Sequence, residues 1–275
     1  MKRRLLLWLA RAAALTPPTL APTLAPTLAP TLAPTLALTL ALTLALPGVG
    51  RVAPGDCAVP PELQQVTVGL PHLAARLRAR QPVKIVAIGG ASTRGAAAGW
   101  PQLAYPHRLQ LLLEAIYPGV PITIVNEGVP RQSTQQMLDR FPADVLAQKP
   151  VLVVWETGIS DAVRGVETDD FAAALQVGID VVKSHAIDIL LVDMQFSRGA
   201  AAVIDFDPYL RTIHRVGDLN DVYVFPRFEM MRYWSEEHMF TFEAVAKAER
   251  PRLAAKVYDC IARQLAGAIQ RAVVQ

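Results

Sequence analysis

Cysteine is scarce in this chain, since Cys57 and Cys260 are the only two among its 275 residues. No cysteines or histidines have the C-x-x-C or H-E-x-x-H spacing typical of zinc sites, so we expect no metal centre. Cys57 lies near the predicted mature start, and Cys260 lies within the last helical pattern. In an exported protein, this placement favours a disulfide between the amino-terminal arm and the terminal helix; two unpaired buried thiols are the alternative.

The motifs of nucleotide-binding proteins are also missing. Gly90 and Gly95 have the G-x-x-x-x-G spacing of a phosphate loop, but Ala96 occupies the place of the required lysine. The same run does not fit the dinucleotide pattern G-x-G-x-x-G. We therefore expect no nucleotide and no other cofactor.

The residues after position 46 carry no excess of positive charge. The chain has 27 basic and 24 acidic residues, a net charge of +3. Four of the basic residues, Lys2, Arg3, Arg4 and Arg11, fall within the first 46 residues, which hold no acid. The remainder has 23 basic residues against 24 acidic ones, a balance of −1, and this argues against a nucleic-acid partner.

Residues 1–46 have the pattern of a targeting segment. Three basic residues precede an apolar run over 5–15, and the unit PTLA then repeats five times over 18–37, followed by two copies of LTLA. We interpret the segment as an expanded signal or leader, cleaved near residues 45–50, which predicts an exported protein, periplasmic or secreted. An uncleaved anchor and a proline-rich tether are the alternatives, and membrane contact would then occur only through this segment.

The rest of the chain alternates apolar strand patterns with amphipathic helix patterns. We predict an amino-terminal arm and helix over 47–80 and one larger domain over 81–275. Strands are predicted over 83–88, 122–126, 151–155, 187–194 and 222–225. Helices are predicted over 70–80, 105–117, 133–141, 171–184, 208–216 and 253–274, with a helical turn over 144–148. Strands that alternate with helices at this spacing indicate a parallel sheet covered by helices on both faces.

The residues that follow each predicted strand carry most of the polar chemistry. Gly89 and Gly90 end the first strand in a tight turn that leads into Ala91, Ser92 and Thr93. Open α/β sheets place their ligands at this carboxyl edge of the strands. We therefore expect the functional site at these turns.

The runs IVAIGGASTRGAAAG, ITIVNEGVPRQSTQQMLDRF and VLVVWETGISDAVRG, with LLVDMQFSR and VYDCIARQLAGAI, resemble the SGNH/GDSL hydrolase family over nearly the whole mature chain. The resemblance implies a flavodoxin-like three-layer α/β/α sandwich with a five-stranded parallel sheet. Members of the family are esterases, lipases and acetyl or acyl hydrolases that act on lipids and polysaccharides. They use a serine nucleophile, a glycine amide and an asparagine in the oxyanion hole, and an Asp-x-x-His base motif.

The catalytic residues of that family are replaced here when the runs are matched without gaps. The serine falls on Ala91, the oxyanion glycine on Arg131 and the asparagine on Ser160. The aspartate and histidine fall on Glu249 and Arg252. These replacements favour a catalytically inactive binding or accessory protein, exported as the leader predicts, with a pocket at these positions for an acylated or anionic envelope glycan.

If the first turn is matched to the family with a shift of one residue, an active enzyme is the alternative interpretation. Ser92 would then be the nucleophile, and His238 in the run Ser235-Glu236-Glu237-His238 would supply the base of a weak carboxylic ester hydrolase. The alternative role for Ser92 is to cap the following turn.

Other residues near the predicted strand ends have a structural and a functional interpretation. Glu156 and Asp161 are expected to cap a helix or to pair with Arg131, and a contact with an anion or sugar is the functional alternative. Three aromatic side chains either pack in the core or form a wall that stacks against carbohydrate. They are Trp100, Tyr105 and Trp155.

Overall fold

The computed structural model describes residues 57–241 and 244–275. The predicted leader over 1–46 and the first part of the arm, up to residue 56, lie outside the described residues. The division of the chain at residues 46 and 80 therefore stays a prediction.

A parallel sheet of five strands forms the centre of the fold and confirms the predicted fold class. The strands are β1 (Val83–Gly89), β2 (Ile122–Gly128), β3 (Leu152–Glu156), β4 (Asp188–Val192) and β5 (Val224–Phe225). Their order across the sheet is β2-β1-β3-β4-β5. The connections reverse direction between β1 and β3, and in sheets of this order ligands bind at the carboxyl ends of those two strands.

Ten helices are described around the sheet: α1 (Pro71–Arg78), α2 (Ala91–Arg94), α3 (Tyr105–Ile116), α4 (Thr134–Leu138), α5 (Ile159–Arg164), α6 (Thr168–Ser184), α7 (Arg198–Ala201), α8 (Asp207–Leu219), α9 (Arg227–Glu236) and α10 (Arg250–Ala272). Single turns of 3-10 helix lie at Pro61–Gln64, Ala96–Ala98, Pro101–Leu103, Leu146–Gln148 and Lys247–Glu249, and a π-helical turn lies at Phe141–Val145. The predicted helix over 133–141 is thus shorter than expected, since α4 ends at Leu138 and a separate π-helical turn begins at Phe141.

The sheet buries apolar side chains on both faces, as a parallel sheet between two helix layers requires. On one face Ile85 and Val154 pack with α3 and α10, and on the other Val86 and Trp155 pack with α6 and α8. Since successive residues of a strand point to opposite faces, nearly every position of β1, β3 and β4 is apolar, whereas the edge strand β2 is partly exposed. This is why the predicted strands read as continuous apolar runs.

The predicted disulfide between Cys57 and Cys260 is present, and their Cα atoms are 5.1 Å apart. It joins the arm to α10, and the carbonyl of Cys57 also accepts a hydrogen bond from Gln264 Nε2 at 2.6 Å. In the ranges 57–241 and 244–275, no helix is both long and apolar enough to cross a membrane.

Candidate functional site

The turn from β1 into α2 lies against the end of β3. A Cβ atom on Gly89 would come within 2.3 Å of Thr93 Oγ1 and 2.8 Å of Glu156 Cβ, so only glycine fits there. This close approach brings the start of α2 onto the switch point of the sheet. The sequence predicts the functional site at this edge of the sheet. In the structure, Ala91, Ser92 and Thr93 lie together there, on α2.

Glu156, the last residue of β3, holds this turn in place. Its side chain is 1% exposed, and its Oε2 atom accepts hydrogen bonds from the amide (3.0 Å) and the hydroxyl of Thr93. Its Oε1 atom lies 3.2 Å from Nη2 of Arg227, the first residue of α9. The expected pairing of Glu156 with Arg131 is therefore wrong, because the buried Arg227 is its partner.

The Thr93 hydroxyl also contacts the hydroxyl of Tyr105 at 3.1 Å. Burial and the nearby charge of Glu156 raise the pKa of Tyr105 above its usual value, so this phenol stays protonated. Tyr105 and Trp155 are both fully buried, whereas Trp100 is 68% exposed. The three aromatic residues consequently do not form the carbohydrate-stacking wall considered above, because two of them belong to the core.

Ala91, where the gap-free match predicts the nucleophile position, is the first residue of α2 and its side chain is exposed. It offers a methyl group and no hydroxyl. Ser92 is 4% exposed and its Oγ atom donates a hydrogen bond of 2.7 Å to Gln195 Oε1. The hydroxyl of Tyr258, whose pKa burial raises to about 12, also interacts with the Ser92 side chain. The described partners of Ser92 are therefore an amide and a phenol, neither of which acts as a general base near neutral pH.

His238 follows α9 and has an exposed side chain and a left-handed backbone, with φ of 55°. Its amide donates to the carbonyl of Ser235 at 3.3 Å, and its ring has no hydrogen-bond partner among the residues that the structure describes. Glu249 and Arg252 form an exposed ion pair of 3.7 Å with each other. The roles of Ser92, His238, Glu249 and Arg252 in a site stay predictions.

Arg131, where the gap-free match predicts the oxyanion glycine, is exposed and has φ of 66°. That left-handed conformation favours glycine and is strained for arginine. The oxyanion donor of the family is a backbone amide, and arginine still has one. Its carbonyl accepts a hydrogen bond from the Arg164 guanidinium. Ser160 is half-buried in the first turn of α5, which is the predicted asparagine position.

Asp161 caps α4, which confirms the structural interpretation of this carboxylate. Its oxygens accept hydrogen bonds from the amide of Thr134 at 3.0 and 3.1 Å and from the hydroxyl of Thr134 at 2.9 Å. Burial raises the pKa of Asp161, and the Thr134 bonds oppose that change. In the described chain Arg131 has no ion-pair partner, so the alternative pairing of Asp161 with Arg131 is wrong.

A buried carboxylate that the sequence analysis did not single out lies directly after β4. Asp193 is fully buried, accepts the amide of Phe228 at 2.8 Å and lies 3.2 Å from His214 Nε2 on α8. The only sequence signal for this pair was a lone acid at the end of an apolar strand, since Asp193 and His214 are separated by 21 residues. Within the described ranges, no group of three or more His, Cys, Asp or Glu side chains could hold a metal ion.

The strand order, the helix layers and the turns at the strand ends define an α/β/α sandwich of the SGNH/GDSL hydrolase type, as the sequence analysis predicted. The sequence pattern of the Non-GDSL lipase-like family matches residues 56–275. The chain therefore belongs to the Non-GDSL lipase-like family.

Among curated proteins, an acetylxylan esterase from Geobacillus stearothermophilus is 28% identical over 113 residues, which are 38% of this chain. The match spans about half of that relative, 51% of its length. Among solved structures, an acetylxylan esterase from the same organism has a TM-score of 0.52 and 19% identity over 70% of this chain and 94% of its own. A two-domain esterase active on acetylated mannans has a TM-score of 0.56 and 18% identity over 74% of this chain and 55% of its own. At these identities the solved structures support the fold alone.

Proposed function

We propose that this protein is an exported SGNH-fold binding or accessory protein, catalytically inactive, whose ligand is an acylated or anionic glycan of the cell envelope. The observation that supports this proposal most is that the turn after β1 offers no free serine hydroxyl. Ala91 carries no nucleophile, and the neighbouring hydroxyl of Ser92 is buried and donates a hydrogen bond to Gln195.

A serine becomes a nucleophile when a base within about 3 Å accepts its proton. Arg252, at the family position of the histidine, cannot accept a proton near neutral pH because the guanidinium pKa exceeds about 12. Its partner is Glu249, and both side chains are more than half exposed. With Arg252, Glu249 and Ala91 at the predicted positions of the histidine, the aspartate and the serine, the chain lacks the proton relay of the related enzymes.

The proposed ligand follows from what remains at the same edge of the sheet. The backbone amide of Arg131 lies at the predicted position of an oxyanion donor, and the exposed guanidinium adds a positive charge. Such a pair of donors suits a carbonyl oxygen of an acyl group or a carboxylate. The similarity to a curated acetylxylan esterase supports an acetylated polysaccharide as the ligand class.

The activity part of the proposal is tested with purified protein, a fluorophosphonate probe and a short acyl ester such as 4-nitrophenyl acetate. We expect no labelling and no turnover above the buffer rate. Labelling that disappears in Ser92→Ala would instead support the second candidate, a weak carboxylic ester hydrolase that uses Ser92 with His238. His238 is the histidine considered for this candidate because it follows Ser235 by three residues, and its ring is exposed.

The binding part is tested by calorimetric titration with acetylated xylooligosaccharides and with the same oligosaccharides after chemical deacetylation. We expect tighter binding of the acetylated form and a loss of about threefold or more in Arg131→Gln, the scale of one exposed charged contact. Arg215→Gln is the matched control, because it removes an exposed cation from α8. Equal affinity for both sugars, or an equal loss in both variants, would contradict the proposed ligand. Cell fractionation of the full-length chain tests export.

A further inference from the structure

A groove of about 910 Å³ lies at the edge of the sheet opposite the candidate site, where the strands begin. It runs past the starts of four adjacent strands, β2, β1, β3 and β4. Three strand spacings amount to roughly 14 Å, which is long enough for a chain molecule rather than a single ion.

The lining of the groove contains three Lys or Arg side chains, two imidazoles and no carboxylate. Its basic residues are Arg76 at the end of α1, Lys84 on β1, Lys149 before β3, and the imidazoles His72 and His185. All five have exposed side chains. The mature chain as a whole has a balance near zero, so this one-sided lining concentrates positive charge locally.

Cations near helix carboxyl ends commonly offset the helix dipole, and some of the charge here has that role. The ring of His185 contacts the carbonyl of Val181 in the last turn of α6 at 2.7 Å, and Arg76 donates to Gln81 Oε1 at 3.0 Å. Lys84 and Lys149 have no ion-pair or hydrogen-bond partner for their amino groups among the described residues. Their charge is therefore available to a ligand.

Two further observations indicate that these lysines are not incidental surface residues. Lys84 is the only exposed residue of β1, a strand that has neighbours on both sides. Lys149 has a left-handed backbone with φ of 52°, a conformation that favours glycine. An amino group is thus present at one position that favours an apolar residue and at another that favours glycine.

We propose that this groove binds a linear acidic polysaccharide through its carboxylate groups, at a site separate from the strand-end turns. The charge of the groove is argued from the structure alone, whereas the polysaccharide class rests on the proposed function. The lining contains no Phe, Tyr or Trp, so it lacks the stacking surfaces with which proteins hold unpaired nucleobases. Its concave shape across four strand starts favours a flexible chain over the flat surface of a membrane.

The test measures binding of the full chain to sodium polygalacturonate by affinity electrophoresis at low ionic strength. We expect binding that weakens as salt screens the contacts and that falls about tenfold in Arg76→Gln/Lys84→Gln/Lys149→Gln, since each exposed contact is worth a few-fold. The charge-retaining variant Arg76→Lys/Lys84→Arg/Lys149→Arg is expected to bind like the unaltered protein. Circular dichroism confirms that each variant is folded.

The matched control removes the same net charge elsewhere, in Arg211→Gln/Arg215→Gln/Lys256→Gln, whose three side chains are exposed on α8 and α10. This control is expected to retain binding. An equal loss in both triple variants, no binding at low salt, or tighter binding to anionic vesicles, polyphosphate or single-stranded DNA would overturn the proposal. If the groove does not bind the acidic polysaccharide, the acetyl-dependent binding at Arg131 can still be observed. The two proposals can therefore be contradicted independently.

Discussion

Arg227 and Glu156 form an ion pair that is closed to solvent, with Nη2 at 3.2 Å from Oε1 and side chains 2% and 1% exposed. The pair joins the start of α9 to the end of β3. Because Glu156 also accepts the amide of Thr93, the same carboxylate fixes the turn after β1. Three elements of the candidate site therefore depend on one buried charge.

Arg227→Met is expected to lower the free energy of unfolding by about 3–5 kcal/mol, because it leaves the Glu156 carboxylate buried without its cation. Urea unfolding followed by circular dichroism measures this loss. Arg232→Met is the control, since its pair with Glu229 is exposed and is worth less than about 1 kcal/mol. In Glu156→Gln/Arg227→Met, the loss is expected to be smaller than the sum of the two single losses. Full additivity would show that the two charges do not act together.

Gly128→Ala is expected to destabilise the protein by about 2–3 kcal/mol, since the new methyl group would overlap the backbone of α2. Its Cβ would come within 2.3 Å of the Arg94 amide nitrogen and 2.7 Å of the Arg94 Cα atom, which cannot rotate away. Gly199→Ala on α7 is the matched control, because no atom lies within 4 Å of its Cβ. Thermal unfolding of both variants decides the matter, and similar melting temperatures would contradict the close approach.

The inner strands β1, β3 and β4 were predictable from the sequence because each is a short, mostly apolar run that is buried on both faces, whereas the edge strand β2 is partly exposed. The disulfide was predictable as well, since the chain has only two cysteines. The helix α9 was not predicted, because its sequence RFEMMRYWSE starts with a buried arginine and mixes charged with apolar residues on all sides. A buried charge is recognised only when its partner is known, and Glu156 lies 71 residues before Arg227.

The candidate site was predictable in its place but not in its hydrogen bonds. The turn at Gly89 and the polar residues after it identified the edge of the sheet. The bond from Ser92 to Gln195 joins residues 103 positions apart, so no local pattern contains it. The left-handed conformation of Arg131 also has no signal in a sequence that shows arginine where glycine is favoured.

The contact between His214 and Asp193 should make stability depend on pH. Burial pulls the pKa of His214 down, but the hydrogen bond and charge of Asp193, with help from Asp218 and Glu229, outweigh burial and raise it. A raised pKa in the folded state adds stability that is fully present below the unfolded value of about 6.5 and is lost as pH rises through the folded value.

His214→Gln is therefore expected to lower the free energy of unfolding more at about pH 5.5 than at about pH 8.5. Urea titrations at the two pH values measure the difference. His185→Gln serves as the control, because that ring contacts only the Val181 carbonyl and the hydroxyl of Ser184 among the described residues. A loss from His214→Gln that is the same at both pH values would show that Asp193 does not favour the protonated ring.

The gap-free match to the family predicts which positions once held the catalytic residues. This prediction can be tested by restoring the family's residue types at those positions. Ala91→Ser/Glu249→Asp/Arg252→His returns a hydroxyl to the first turn of α2 and an imidazole to the start of α10. Because a positioned general base typically contributes 10²–10⁴-fold, we expect fluorophosphonate labelling to rise at least about tenfold above that of the unaltered protein. Ala91→Ser alone is expected to remain unlabelled, since a hydroxyl without a base is a weak nucleophile.

The control for this restoration is Glu249→Asp/Arg252→His with Ala91 retained, which supplies the imidazole without the new hydroxyl. If the control is labelled as fast as the triple variant, the reacting group is Ser92 and the true register is shifted by one residue. A triple variant that folds but stays unlabelled would mean that Ala91 and Arg252 do not face each other. Labelling of the triple variant alone would show that the exposed methyl group of Ala91 marks the place of the missing nucleophile.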